Sequence, residues 1–101
     1  MVEKPCQVVW TSQSQQHMKQ AYEFISKDSV QNAKKVIAEI ALAVNKAIHN
    51  PEIYNSDKYR KNNDGSYRAF EKHRYRVTYR FTKNIIRILR VRHTKMEPKK
   101  Y

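Results

Sequence analysis

Arginine is the residue whose spacing carries chemistry in this chain. From Tyr67 to Tyr101 the sequence reads YRAFEKHRYRVTYRFTKNIIRILRVRHTKMEPKKY. Apolar and aromatic residues alternate there at strand period, and arginine takes nearly every other remaining position. A guanidinium presents a planar fork of N–H donors that meets phosphate or carboxylate oxygens two at a time. A sheet that carries so many of them is organised for a polyanion lying across it. Other chemistries are excluded by what is missing. Gly65 is the only glycine, so no glycine-rich phosphate loop can form and a nucleotide-hydrolysing enzyme is not expected. No pair of histidines or acids has metal-ligand spacing, so neither a metal nor another cofactor is expected. Cys6 is the only cysteine, which rules out an intramolecular disulfide; it reads as a small half-buried residue beside the first strand.

The net charge of +12 over 101 residues is unevenly spread. Residues 1–50 carry six Lys/Arg against four Asp/Glu, whereas residues 51–101 carry fifteen against five. Such asymmetry focuses a positive field on one part of the molecule and implies a nucleic acid or another acidic partner. Charge that only solvates a surface is usually mixed in sign. The length fits one domain over residues 1–101 with one modest core. No apolar run approaches the ~20 residues of a membrane span. The N-terminal MVEKPCQVVW lacks the apolar core of a signal peptide. A cytoplasmic protein without a membrane partner is the expectation.

The elements that must position the arginines can be read in order. Gln7 to Thr11 is a short β-branched and aromatic run after Pro5 and predicts a strand. Ser12 or Ser14 offers a helix N-cap, and Ser12 with Gln15 has capping-box spacing. Met18, Ala21, Tyr22 and Ile25 then recur at helical spacing, with Phe24 off the stripe and available to a neighbouring helix. Lys27-Asp28-Ser29 interrupts the pattern and caps a longer helix, whose stripe is Val30, Ala33, Val36, Ile37, Ile40, Ala41, Val44 and Ile48. Asn50-Pro51 stops it. Two helices joined so closely form an antiparallel hairpin, and their apolar stripe requires a sheet to cover. His17 and His49 are expected to face solvent.

Pro51 to Ser66 has no sustained period and reads as a loop, with Ile53, Tyr54 and Tyr59 as possible anchors. Three strands follow. The second places Tyr75, Val77, Tyr79 and Phe81 on one side, against Arg74, Arg76, Thr78 and Arg80 on the other. Thr82-Lys83-Asn84 is a tight hairpin loop in which Asn84 takes a left-handed conformation. In the last strand Leu89 and Val91 alternate with Arg90 and Arg92. The fold class is α+β, in the order β-α-α-β-β-β, with an antiparallel sheet packed against an N-terminal helical hairpin. Arg74, Arg80, Arg90, Arg92 and Lys95 are the candidate nucleic-acid contacts. Arg80 and Arg87 also suit exposed strand positions that discourage edge-to-edge pairing.

Three features together resemble the RelE/ParE superfamily of bacterial toxins from type II toxin–antitoxin systems. They are the helical hairpin ending in Asn50-Pro51, the strand pair Tyr67-Arg68…Tyr75-Arg76-Val77-Thr78-Tyr79, and the block from Ile86 to Thr94 followed by Pro98 and Tyr101. The resemblance covers Val8 to Tyr101. It implies a toxin silenced by a cognate antitoxin, with an acidic antitoxin segment expected from this chain's charge. The RelE-like branch cleaves mRNA on the ribosome; the ParE-like branch inhibits DNA gyrase without nuclease activity. For the first, the resemblance places the functional residues at Arg68, Arg76, His93 (or Arg92) and Tyr101. Phe70 stands where a second basic residue of the same strand would fall. Cleavage by an RNA's own 2′-OH needs proton transfer and stabilisation of phosphate charge, which histidine or tyrosine and arginine can supply. On this reading a ribosome-dependent endoribonuclease is expected, with a gyrase inhibitor as the alternative and a plain basic nucleic-acid-binding module as the third. Arg76→Ala is then expected to remove toxicity and leave the fold intact.

Overall fold

The computed structural model describes residues 6–96. Glu97, Pro98 and the candidate Tyr101 lie outside the described residues.

The first strand, β1 (Gln7–Trp10), ends where Thr11 begins the first helix, α1 (Ser12–Ser26). The cap is Thr11 rather than Ser12 or Ser14. Its hydroxyl accepts the Ser14 amide at 3.1 Å and donates to the Ile88 carbonyl at 2.8 Å, so one side chain closes the strand and opens the helix. Gln15 donates to the Trp10 carbonyl at 2.8 Å, two residues before the Ser12 of the expected box. Ala21 is buried, with Met18 and Ile25 packed beside it, as the spacing predicts. Phe24, by contrast, is 62% exposed.

His17 is buried, which corrects the solvent-facing expectation. Its Nδ1 accepts the Val91 amide at 3.1 Å. The reason lies in strand length. β1 stops at Trp10, opposite Ile88, and the last strand runs on past it, so a backbone N–H of that strand must find another acceptor. His17 supplies it from α1.

Ser29 caps α2 (Val30–His49) as expected, accepting the Asn32 amide at 3.0 Å. Ala33, Val36, Ile40 and Val44 of the predicted stripe are buried, joined by Ala43 and Ala47 in place of the exposed Ala41. Full burial of a side chain the size of Ile40 contributes about 1.5–3 kcal/mol.

β2 (Tyr67–Lys72), β3 (Tyr75–Thr82) and β4 (Ile85–His93) form the expected antiparallel series. β1 joins the outer edge of β4 in parallel, so the four-stranded sheet is mixed, in the order β1-β4-β3-β2. Both hairpins turn through two residues with positive φ: His73 and Arg74 at 51° and 68°, Lys83 and Asn84 at 50° and 64°. These turns match the right-handed twist of the flanking strands. Arg74 therefore sits in a turn, not on the strand face beside Arg76 and Arg80. His73 is held there by Glu39 of α2, with Nε2 and Oε1 2.6 Å apart.

The apolar positions of β4 change phase along the strand. Ile86 and Ile88 are buried, and then Val91 is, while Leu89 is only half-buried. A β-bulge reconciles them: Thr78 pairs with Arg90 and the next residue, Tyr79, with Ile88, which leaves Leu89 as the extra residue. The core therefore takes Val77, Tyr79, Ile86, Ile88 and Val91 from the sheet, against Val36, Ile40 and Val44 from α2.

The loop from Pro51 to Ser66 folds back over the β2 end of the sheet. Tyr54 anchors it, stacked on Phe70 at 4.3 Å between ring centroids and donating to the Ala43 carbonyl at 2.8 Å. The buried Tyr79 hydroxyl donates to the Pro51 carbonyl at 2.8 Å. Burial pushes its pKa up to about 12. Ile53 stays exposed. Among the described residues no helix is long and apolar enough to cross a membrane.

Candidate functional site

The sheet face turned away from the helices carries the arginines in cross-strand rows. Pairing across β2, β3 and β4 sets Glu71, Arg76 and Arg92 in one row, Ala69, Thr78 and Arg90 in the next, and Tyr67, Arg80 and Arg87 in the third. Opposed like charges on neighbouring strands destabilise a sheet by a few tenths to about 1 kcal/mol per pair. Two rows contain such a pair, and the molecule treats them differently.

Arg76 is only 7% exposed. Its Nη2 meets Asp57 Oδ1 at 2.7 Å, its Nη1 meets Glu71 Oε2 at 3.3 Å, and the Tyr59 ring covers the guanidinium at 4.6 Å. Asp57, itself 2% exposed, is fixed in place by the loop. Its amide donates to the Tyr67 carbonyl at 2.8 Å, and its Oδ1 accepts the Tyr59 amide at 3.0 Å. Among the described residues, Arg76 Nε and, two residues along, Thr78 Oγ1 are buried without a hydrogen-bond partner. Removing either charge of a buried pair strands the other in low dielectric. Arg76 is thus part of what holds the loop to the sheet, which corrects the expectation that Arg76→Ala would leave the fold intact.

Asp57 escaped the sequence reading because Asn55-Ser56-Asp57-Lys58 looks like solvent-exposed loop. The usable signal was scarcity: with five acids against fifteen bases in residues 51–101, each acid is a candidate arginine partner.

The third row has no such acid. Arg80 donates through Nε to Ser66 Oγ at 3.2 Å and lies over the Tyr67 ring at 4.7 Å. Arg60 lies over the same ring at 3.9 Å and donates to its hydroxyl at 3.0 Å. Arg87 is exposed and donates to Thr82 Oγ1 at 3.3 Å. Asp64 is linked to this row through Ser66. Hydrogen bonds from Ser66, with a smaller contribution from the Arg80 charge, hold its carboxyl below the usual range.

The other predicted residues lie elsewhere. Arg68 pairs with Tyr79 and so projects to the helix side, where its Nη1 donates to the Tyr54 carbonyl at 2.8 Å and its Nη2 stands 3.6 Å from Glu52. Phe70, on the same side, is core. His93 pairs with Tyr75, also on the helix side, and the two rings meet edge-on at 5.3 Å. His93 Nδ1 accepts the Lys95 amide at 3.1 Å, and Lys95 itself is exposed in the short 3₁₀ turn Thr94–Met96. Arg76 and Arg92 face the opposite side of the sheet. The structure therefore brings together Arg76 with Arg92, and separately Arg80 with Arg87; it does not gather Arg68, Arg76 and His93.

Near His93 a groove of about 610 Å³ opens between α1 and the end of β4, lined by His17, Ala21, Phe24, Tyr75, Val91 and Arg92 among others. Its lining is mostly apolar and includes the bases Arg92 and Lys95.

This arrangement has relatives. Among solved structures the chain resembles a protein of the chromosomal ParDE toxin–antitoxin system from P. aeruginosa, with a TM-score of 0.68 and 16% identity over 87% of this chain and 95% of that one. It also resembles a chain of the RelBE2 toxin–antitoxin complex from Mycobacterium tuberculosis, with a TM-score of 0.62 and 18% identity over 89% and 99% of the two chains. At these identities the likeness is one of fold. No curated protein matches the sequence. Residues 8–98, however, match the family described as the ParE toxin of the type II toxin–antitoxin system parDE. With its β-α-α-β-β-β order and arginine-bearing sheet, the chain belongs to the ParE toxin family within the RelE/ParE superfamily.

Proposed function

We propose that this chain arrests growth by binding DNA gyrase, without cutting RNA, and that a cognate antitoxin keeps it silent. The observation that supports this reading is the separation of the residues a ribonuclease would need. Cleavage by a 2′-OH requires a proton acceptor, a proton donor and phosphate-binding cations around one phosphorus atom. Arg68 and His93 face the helix side of the sheet, while Arg76 and Arg92 face the other. A phosphate arriving at Arg76 would also have to displace Asp57 from the 2.7 Å contact it makes there, a buried ion pair that is costly to break. An inhibitor that acts by occupying a surface needs none of this assembly.

The antitoxin is supported by family membership and by the two similar structures, both of toxin–antitoxin systems. The groove beside α1 suits it. Phe24 offers exposed apolar area there, and Arg92 and Lys95 among the lining residues favour a segment with acidic flanks.

The test is a supercoiling assay with purified gyrase, relaxed plasmid and this chain. Supercoiling should fall as the chain is added and recover when the antitoxin is supplied. Full-rate supercoiling in the presence of excess toxin would overturn the proposal.

A further inference from the structure

We propose that the row Tyr67–Arg80–Arg87, with Arg60 laid over it, is a site for the phosphate backbone of duplex DNA. The inference goes beyond the gyrase reading and stands without it. Two features of the row carry it.

The first is a pair of opposed charges with no carboxylate in direct contact, held in a prepared geometry. Arg80 and Arg87 are directly opposed on β3 and β4, and among the described residues neither forms an ion pair with a carboxylate. The equivalent pair, Arg76 and Arg92, has Asp57 and Glu71 at Arg76. Arg60 and Arg80 are both positioned by the Tyr67 ring, at 3.9 and 4.7 Å, and Arg80 is further fixed by Ser66. A guanidinium held against an aromatic face keeps N–H groups at its edge for oxygen acceptors, with little entropy left to lose on binding. A phosphate between opposed arginines would remove their repulsion and gain charge-assisted hydrogen bonds.

The second feature selects the partner. Proteins that bind single-stranded RNA or DNA commonly stack bases on exposed aromatic rings. Here the Tyr67 ring, at the β2 end of the row, is already occupied by two guanidiniums, so a base has no platform. What remains is a strip of cations for phosphates, readable without base contacts, as on a duplex.

The experiment is fluorescence anisotropy with the full chain and two labelled probes: a mixed-sequence DNA duplex and an RNA single strand of the same length. Titrations run at several salt concentrations. Binding to the duplex should be tighter than to the RNA strand. Each phosphate contact contributes a slope of about −0.9 in log K against log salt. The double substitution Arg80→Gln with Arg87→Gln should weaken duplex binding tenfold or more and flatten the slope by about 2. Arg87→Gln alone touches only an exposed side chain and should flatten it by about 1. Lys19→Gln, on the solvent face of α1, should change neither. Duplex binding and slope unchanged in Arg87→Gln and in the double variant would overturn the proposal, as would preferential binding of the RNA strand.

Discussion

Two ends of one sheet face carry the same motif, a pair of arginines opposed across β3 and β4, and use it in opposite ways. At the end nearer the His73–Arg74 turn, Arg76 is buried, covered by Tyr59 and tied to Asp57 and Glu71. At the other end, among the described residues, the Arg80 and Arg87 side chains hydrogen-bond to hydroxyls, with Arg80 resting on Tyr67. Residue type and strand register are alike; what differs is whether the 51–66 loop brings a carboxylate into direct contact with the guanidinium, as Asp57 does at Arg76 while Asp64 reaches Arg80 only through Ser66. One row is spent on folding and the other is left for a partner. Charge density alone therefore overstates the functional surface of a basic protein.

The largest effect should come from removing the carboxylate that makes the difference. Asp57→Ala leaves Arg76 buried without its closest partner and should cost about 3–5 kcal/mol of stability in urea unfolding. Arg76→Ala should cost a similar amount. The double variant should be less destabilised than the sum of the two, since the stranded charge is gone in both. Additive losses would mean that the pair is not coupled, and the contrast between the rows would collapse.

Tyr79→Phe is next. It removes the hydroxyl that holds the start of the same loop at Pro51, at a cost of about 1 kcal/mol. It also has a pH signature. The folded state raises the Tyr79 pKa from 10.0 to about 12 because burial penalises the phenolate. A raised pKa gives stability that is present below the unfolded value and lost as pH rises through the folded one. Thermal melts of the parent chain should weaken between pH 10 and about 12, and Tyr79→Phe should flatten that decline.

Arg74→Gly probes the turn at the buried end. Arg74 holds a φ of 68°, and a left-handed residue other than glycine costs about 1 kcal/mol, so this variant should be more stable than the parent. At the same turn His73 bonds to Glu39, and this hydrogen bond is the main cause of a lowered Glu39 pKa. That contribution is present above the unfolded value of 4.5 and lost as pH falls through the lowered folded one. Glu39→Gln should therefore flatten the acid limb of a stability profile below pH 4.5. The smallest effect belongs to the open row: Arg87→Gln should shift stability by no more than about 0.5 kcal/mol.

Much of the fold was legible in the sequence. Asn50-Pro51, Ser29 and the alternation in β3 fixed the helix ends and the strand faces. The parallel placement of β1 was not readable, because four residues with no hairpin partner carry no signal of their direction. Nor was the bulge at Leu89, although the shift of buried positions from Ile86 and Ile88 to Val91 records it. Of the site, the basic face was legible, but its division was not. Arg76 and Arg80 look equivalent in sequence, and only the folded loop shows that Asp57 reaches one of them. His17 is the converse case, a polar residue on a helix that turned inward to serve the amide of a strand from the opposite end of the chain.

The central claim is that this toxin binds its target without cutting RNA. It is tested most directly on ribosomes programmed with a defined mRNA, incubated with the purified full chain, with mRNA 5′ ends read by primer extension. The account predicts full-length mRNA at every toxin concentration. Cuts in register with the codons, lost in a variant of His93 that still folds, would contradict it.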